Sequence, residues 1–105
     1  MLKAFFQGNV STEPELRGVN KNVLTFSVAV NTRKKDPDSD KWVEAPQFFP
    51  FVMFGKRAEA VGSFLKKGAA VSIEATPSQN VWEDEKGKRS SIEFIVDDIH
   101  VDATR

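Results

Sequence analysis

Basic and aromatic residues stand side by side at three places in this chain. Arg33, Lys34 and Lys35 precede Trp42 in one polar stretch, and Trp82 precedes Lys86, Lys88 and Arg89 in another. Lys56 and Arg57 follow Phe54 almost directly. Cations suit phosphates and flat rings suit the faces of unpaired bases, so a basic groove dotted with aromatics is how single nucleic-acid strands are held. Taken singly, each ring is also what a core or a subunit contact would use. Net charge favours neither reading. Fifteen Lys and Arg balance fifteen Asp and Glu, so a site for a polyanion has to come from local segregation of charge.

Other chemistries lack their residues. There is no cysteine, which excludes a disulfide framework, a thiolate zinc site and a cysteine nucleophile. The single histidine, His100, cannot build a multi-histidine metal site and reads as a surface or interface residue. The run Asp36-Pro-Asp38-Ser-Asp40 imitates the start of a calcium loop, but Lys41 and Gln47 stand where that loop needs Gly and Glu, so it reads as a solvated turn. Asp97 and Asp98 are adjacent, which on a regular strand points them to opposite faces. No Gly-rich phosphate loop or nucleophile elbow is present. The expectation is a protein that is not an enzyme and needs no metal or cofactor.

The elements that must position the rings follow from periodicity. The chain of 105 residues is the size of one domain. Residues 2–10 alternate, with Leu2, Ala4, Phe6 and Val10 on one side, and Gly8 marks a bulge or a close approach. Residues 11–22 are rich in turn formers, with a possible short helix cap at Ser11–Glu15. Residues 22–31 are the cleanest strand, with Leu24, Phe26, Val28 and Val30 on one face. A long polar loop with Trp42 leads to "QFFPFVMF", residues 47–54. That stretch is apolar on both faces: Phe49, Phe51 and Met53 on one, Phe48, Pro50, Val52 and Phe54 on the other. Ala58, Val61, Phe64 and Leu65 then recur at helical spacing, with Lys66 and Lys67 at the helix end and Gly68 closing it. Residues 69–77 form a strand stopped or bulged by Pro77, and a second polar loop carries Trp82. In the last strand Ile92, Phe94 and Val96 share a face while Ile99 and Val101 have the opposite parity, which calls for a bulge near Asp97–Asp98. Five strands with one helix between the third and fourth is the layout of an OB-fold barrel, an all-β class.

At "GNVSTEPELR", Gly8 to Arg17, the chain resembles the bacterial and phage single-stranded DNA-binding protein family. The likeness continues through "LTFSVAVN", "FVMFGKRAEAVGSFLKKGAAVSIEA", "VWEDEKGKR" and "SIEFIV". The resemblance implies an OB barrel assembled as a dimer or tetramer, with DNA bases stacked on aromatics of the third strand and the two long loops. Carried over by position, Phe54 matches the main stacking phenylalanine before Gly-Lys, Phe48 a stacking tryptophan, and Trp82 the loop aromatic. Trp42 lies in the loop where another stacking tryptophan belongs. Period-two parity and the resemblance select the same outward face, leaving Phe49, Phe51 and Met53 inside.

The departures remove positive charge: Pro50, Asn9 and "ATPSQN" stand where the family often has polar or basic residues. The sequence ends at Arg105 without the acidic, partner-recruiting tip of typical members, as in a phage or plasmid accessory version, so recruitment through such a tip is not expected. The sequence therefore reads as one domain, residues 1–105, binding single-stranded DNA with little sequence preference. Phe48, Phe54, Trp82 and Trp42 would stack, and Arg33, Lys34, Lys35, Lys56, Lys86, Lys88 and Arg89 would meet phosphates. Replication, recombination and repair are the processes this would serve. The rival reading is an OB-fold protein-interaction module of a replication or primosome complex. A single small barrel has few places to bury Phe5, Phe49 and Ile95, so a homo-oligomer is expected. No signal peptide or membrane-spanning run is visible, and the cytoplasm of a bacterium, or of a host carrying a phage or plasmid copy, is the expected location.

Overall fold

A computed structural model describes residues 1–102. The strands are β1 (Ala4–Val10), β2 (Glu15–Arg17), β3 (Val23–Lys35), β4 (Trp42–Phe54), β5 (Ala70–Asp84) and β6 (Gly87–Val101), with helix α1 (Lys56–Gly62) between β4 and β5. Their order in the sheet is β1-β5-β6-β4-β3-β2, and a further β1–β3 pairing closes β1, β5, β6, β4 and β3 into a barrel. Antiparallel ladders join all of these except β4 and β6, which run parallel and meet only at Phe51–Phe94 and Val52–Ile95. This is the five-stranded OB barrel, with β2 added as a short sixth strand at the rim.

Alternation decides what the barrel holds. Leu24, Phe26 and Val28 of β3, Phe51 and Met53 of β4, Val71, Ile73 and Ala75 of β5, and Val96 of β6 are buried together. Phe6 sits among three further rings, its centroid 5.0 Å from Phe49, 4.9 Å from Phe51 and 5.1 Å from Phe94. Phe49 thus finds a place inside one barrel, as β4 parity predicts, and needs no subunit contact to find it. Phe5, one residue along β1, points outward and is 74% exposed.

The expected bulge is present. Glu74 pairs with Asp98 but Ala75 pairs with Val96, so Asp97 is the extra residue that switches Ile99 and Val101 to the other parity. Gly8 is the expected close approach: a Cβ there would collide with the carbonyl oxygen of Ala29 on β3.

Several expectations need correction. The two polar loops are mostly strand. β3 and β4 pair without a break from Val23–Phe54 to Lys35–Trp42, and β5 and β6 pair out to Asp84–Gly87, so Trp42 and Trp82 lie on hairpin arms. Polar two-faced arms carry no burial signal, which is why composition reads them as loops. Second, Pro77 does not stop β5. The β1 partner of β5 ends at Ala75, so Pro77 lies where β5 has one open edge, and an open edge tolerates a missing N–H. Third, Glu15–Arg17 is a strand paired with Thr25–Val23, not a helix cap. Fourth, α1 ends at Gly62. Ala58 and Val61 bury, but Phe64 is exposed and Lys66, Lys67 and Gly68 lie in the turn beyond. Leu2 and Ile92, assigned to inward faces, are exposed; Leu2 precedes β1.

An ion pair ties the N-terminus to the bulge. Lys3 Nζ lies 2.7 Å from Asp97 Oδ2, and the Thr76 hydroxyl donates to the same oxygen at 2.6 Å. Lys3 and then Thr76 hold the Asp97 carboxyl below its ordinary value of 3.8. A carboxyl lowered in the folded state adds stability above its unfolded pKa and loses it as pH falls through the folded one. Asp97→Asn should therefore lower the melting temperature slightly at neutral pH and not at all in strong acid, as thermal melts across pH will show; the pair is partly solvated, so the effect is small. Gly8→Ala should cost about 1–3 kcal/mol by overpacking β1 on β3, measured by chemical denaturation.

Candidate nucleic-acid interface

The candidate site is the outer face of β3, β4 and β6. Because the β3–β4 register is unbroken, one parity of β4 carries Trp42, Phe48, Pro50, Val52 and Phe54 to the same side. Phe48 is 64% and Phe54 52% exposed, whereas Phe51 and Met53, of the other parity, are buried. Cross-strand neighbours leave the rings open: Ala29 stands beside Phe48 and Val23 beside Phe54. Val52, between the two rings, is buried against the sheet and forms a floor instead of a projection.

At Pro50 and Val52, between Phe48 and Phe54 along β4, lies an open groove of about 620 Å³ that neither ring lines. Thr25, Ser27, Pro50 and Val52 form its base, the Thr12–Glu15 segment one wall, and Asn80, Ser91 and Glu93 of the β5–β6 hairpin the other. The space is right for a small ligand or part of a larger one. It is also the surface that OB folds use for oligonucleotides, on the second and third barrel strands between two flanking loops.

The predicted cations are spread around this groove unevenly. Lys35 opposes Trp42 and Arg89 opposes Trp82 across their ladders, so each hairpin arm sets a cation beside a ring. Both cations are already held by carboxylates: Lys35 Nζ is 3.0 Å from Asp40, and Arg89 Nε is 2.9 Å from Asp84. Arg33, Lys34, Lys56, Lys86 and Lys88 make no ion pair among the described residues. Lys34 has the opposite strand parity from Arg33 and Lys35 and points to the other side of its hairpin. Arg57 is turned away to Asp97 and Asp98. The Asp36–Asp40 run is a closed turn: the Asp36 carboxylate accepts from the Asp38 N–H and the Ser39 hydroxyl, which lowers its pKa.

Strand parity predicts the exposure of Phe48 and Phe54 but not the groove. The outward parity of Thr25 and Ser27 was the available signal for its base. Its walls were not legible, because Glu13 and Glu15 lie in a segment read as turns and Asn80 in one read as a loop.

The sequence profile of the single-strand binding protein family matches residues 1–102. The chain belongs to that family. A single-stranded DNA-binding protein of Borreliella burgdorferi is 38% identical over 81 residues, covering 75% of this chain and 53% of that protein. One of Treponema pallidum is 35% identical over 89 residues, covering 83% and 49%. This chain thus spans about half the length of these two relatives. Among solved structures, a Plasmodium falciparum SSB in complex with single-stranded DNA superposes with a TM-score of 0.81 over 98% of this chain and 96% of that one, at 20% identity. That likeness establishes the OB fold.

Parity and exposure make opposite demands on neighbouring phenylalanines of one strand. Phe51→Ala should cost about 3–5 kcal/mol of stability, as for a buried aromatic. Phe54→Ala should leave the denaturation midpoint almost unchanged. Urea unfolding of the two variants checks both.

Proposed function

We propose that this chain binds single-stranded DNA without chemistry of its own and without needing a particular sequence. The observation that carries this reading is the pair of exposed rings, Phe48 and Phe54, on one face of β4 with an open groove between them. Bases stack on these rings and on Trp82 and Trp42 along the two hairpin arms, while Arg33, Lys56 and Lys86 meet phosphates; Lys34 and Lys88, of the opposite strand parity to the rings of their hairpins, are less well placed for this. Lys35 and Arg89 contribute only when a phosphate displaces Asp40 or Asp84. With balanced charge, stacking outweighs ion pairing; it is worth roughly 1–3 kcal/mol per base.

Membership of the single-strand binding family supports the same reading, and so does the solved relative bound to single-stranded DNA. Self-association fits the surface left over. Among the described residues, the Ala4–Gly8 edge of β1 that faces away from β5 has no partner strand, and Phe5 stands exposed beside it. An open edge of this kind is a template for a second copy. Protection of single-stranded DNA during replication, recombination or repair, in the cytoplasm, is the role such a binder fills. Among the described residues no helix is long and apolar enough to cross a membrane.

Tryptophan fluorescence during titration with oligo-dT tests the proposal. Strong quenching is expected, and Phe48→Ala and Phe54→Ala should each weaken binding by roughly 1–3 kcal/mol, more than any single alanine in Arg33–Lys35. No quenching and no measurable affinity would instead favour a protein-interaction module.

A further inference from the structure

The groove between Phe48 and Phe54 has the wrong charge for a phosphate. Its base is apolar or neutral, but its two walls carry Glu13 and Glu15 on one side and Glu93 on the other. Glu15 is neutralised by Arg17 at 2.6 Å. Glu13 and Glu93 have no cation within ion-pair distance among the described residues. Glu93 is oriented by the Asn80 side-chain amide, which donates to its Oε2 at 2.8 Å and leaves the other carboxylate oxygen and the Asn80 carbonyl as acceptors.

A strand stacked on the two flanking rings has to cross this groove. Carboxylates repel its phosphates, so the sugar-phosphate backbone stays outside the groove and a base edge turns inward. The edge that suits two carboxylates and an amide carbonyl is one rich in donors. Cytosine, adenine and guanine each carry an exocyclic amino group; thymine presents two carbonyls and a single N–H. Acceptance from cytosine N4 by Glu or Asp is an established mode of base recognition.

We propose that this groove is a base-edge subsite that favours an amino-bearing base over thymine, with Glu93, set by Asn80, as the discriminating residue and Glu13 as its auxiliary. The inference rests on the single-strand-binding reading above and deepens it. Binding remains general along the strand, with a compositional bias at one slot.

The test compares affinities for oligo-dC and oligo-dT of equal length, at one salt concentration and slightly alkaline pH, for the wild type, Glu93→Gln and Glu13→Gln. Glu59→Gln on α1 removes the same charge outside the groove and is the control. The readout is the dC:dT affinity ratio of each variant relative to the wild type, which cancels intrinsic differences between the two oligomers. Glu93→Gln should lower that ratio about fivefold, Glu13→Gln less, with melting temperatures unchanged. Glu59→Gln should not move it. A ratio unchanged in Glu93→Gln overturns the inference: equal gains for both oligomers would mean that the carboxylate only repels phosphate, and no change in either would mean that the strand avoids the groove. If the wild type binds neither oligomer, the single-strand-binding reading itself falls, and this inference with it.

Discussion

Everything at this surface depends on the unbroken antiparallel register between β3 and β4. Side chains alternate faces with a period of two, so a slip of one residue would send Phe48 and Phe54 inward and Phe51 and Met53 into solvent. Pairing Phe26 with Phe51 and Leu24 with Met53 prevents this, because these four side chains bury together in the core. The buried face therefore sets the exposed one. Rings left more than half exposed are held in place by the buried face of their own strand.

The same ladder explains where the barrel can afford irregularity. Pro46 and Pro50 lie in β4 outside its two-residue contact with β6, and Pro77 lies in β5 past the end of β1. Each sits where one edge of its strand is open. The extra residue, Asp97, falls where β6 must change which face it turns to the core. Its carboxylate is then taken up by Lys3 and Thr76, which joins the start of the chain to the last strand. Closure of the barrel is thus achieved by a few local devices, while the long hairpin arms extend beyond it and carry Trp42 and Trp82.

Electrostatics on this surface is segregated at short range although the chain is neutral overall. Unpaired cations lie on the hairpin arms and beside Phe54, two further cations are held by aspartates, and the groove between the rings is acidic. On the proposed reading, this arrangement separates two tasks: stacking and the cations of the hairpin arms for general affinity, and the acidic groove for the base edge that faces inward. Exposed pairs such as Lys35–Asp40 are weak in water.

Period-two alternation by itself determined the core faces of β3 and β4 and most of that of β1, the outward set of Phe48 and Phe54, and the parity switch near Asp97. These are all consequences of burial, and burial leaves a pattern in residue type. The hairpin arms left none, because strands solvated on both faces look like loops until their partners are known. Phe64 shows the reverse case: its spacing matched a helix face, but the helix ends at Gly62, before reaching it. Only the tertiary structure could bring Glu13, Thr25, Pro50 and Glu93 to one groove, since these residues come from four separate segments and nothing in their local sequence records the distance between them. It also decided which cations are free, because Lys35 and Arg89 meet their aspartates only when each hairpin folds back on itself.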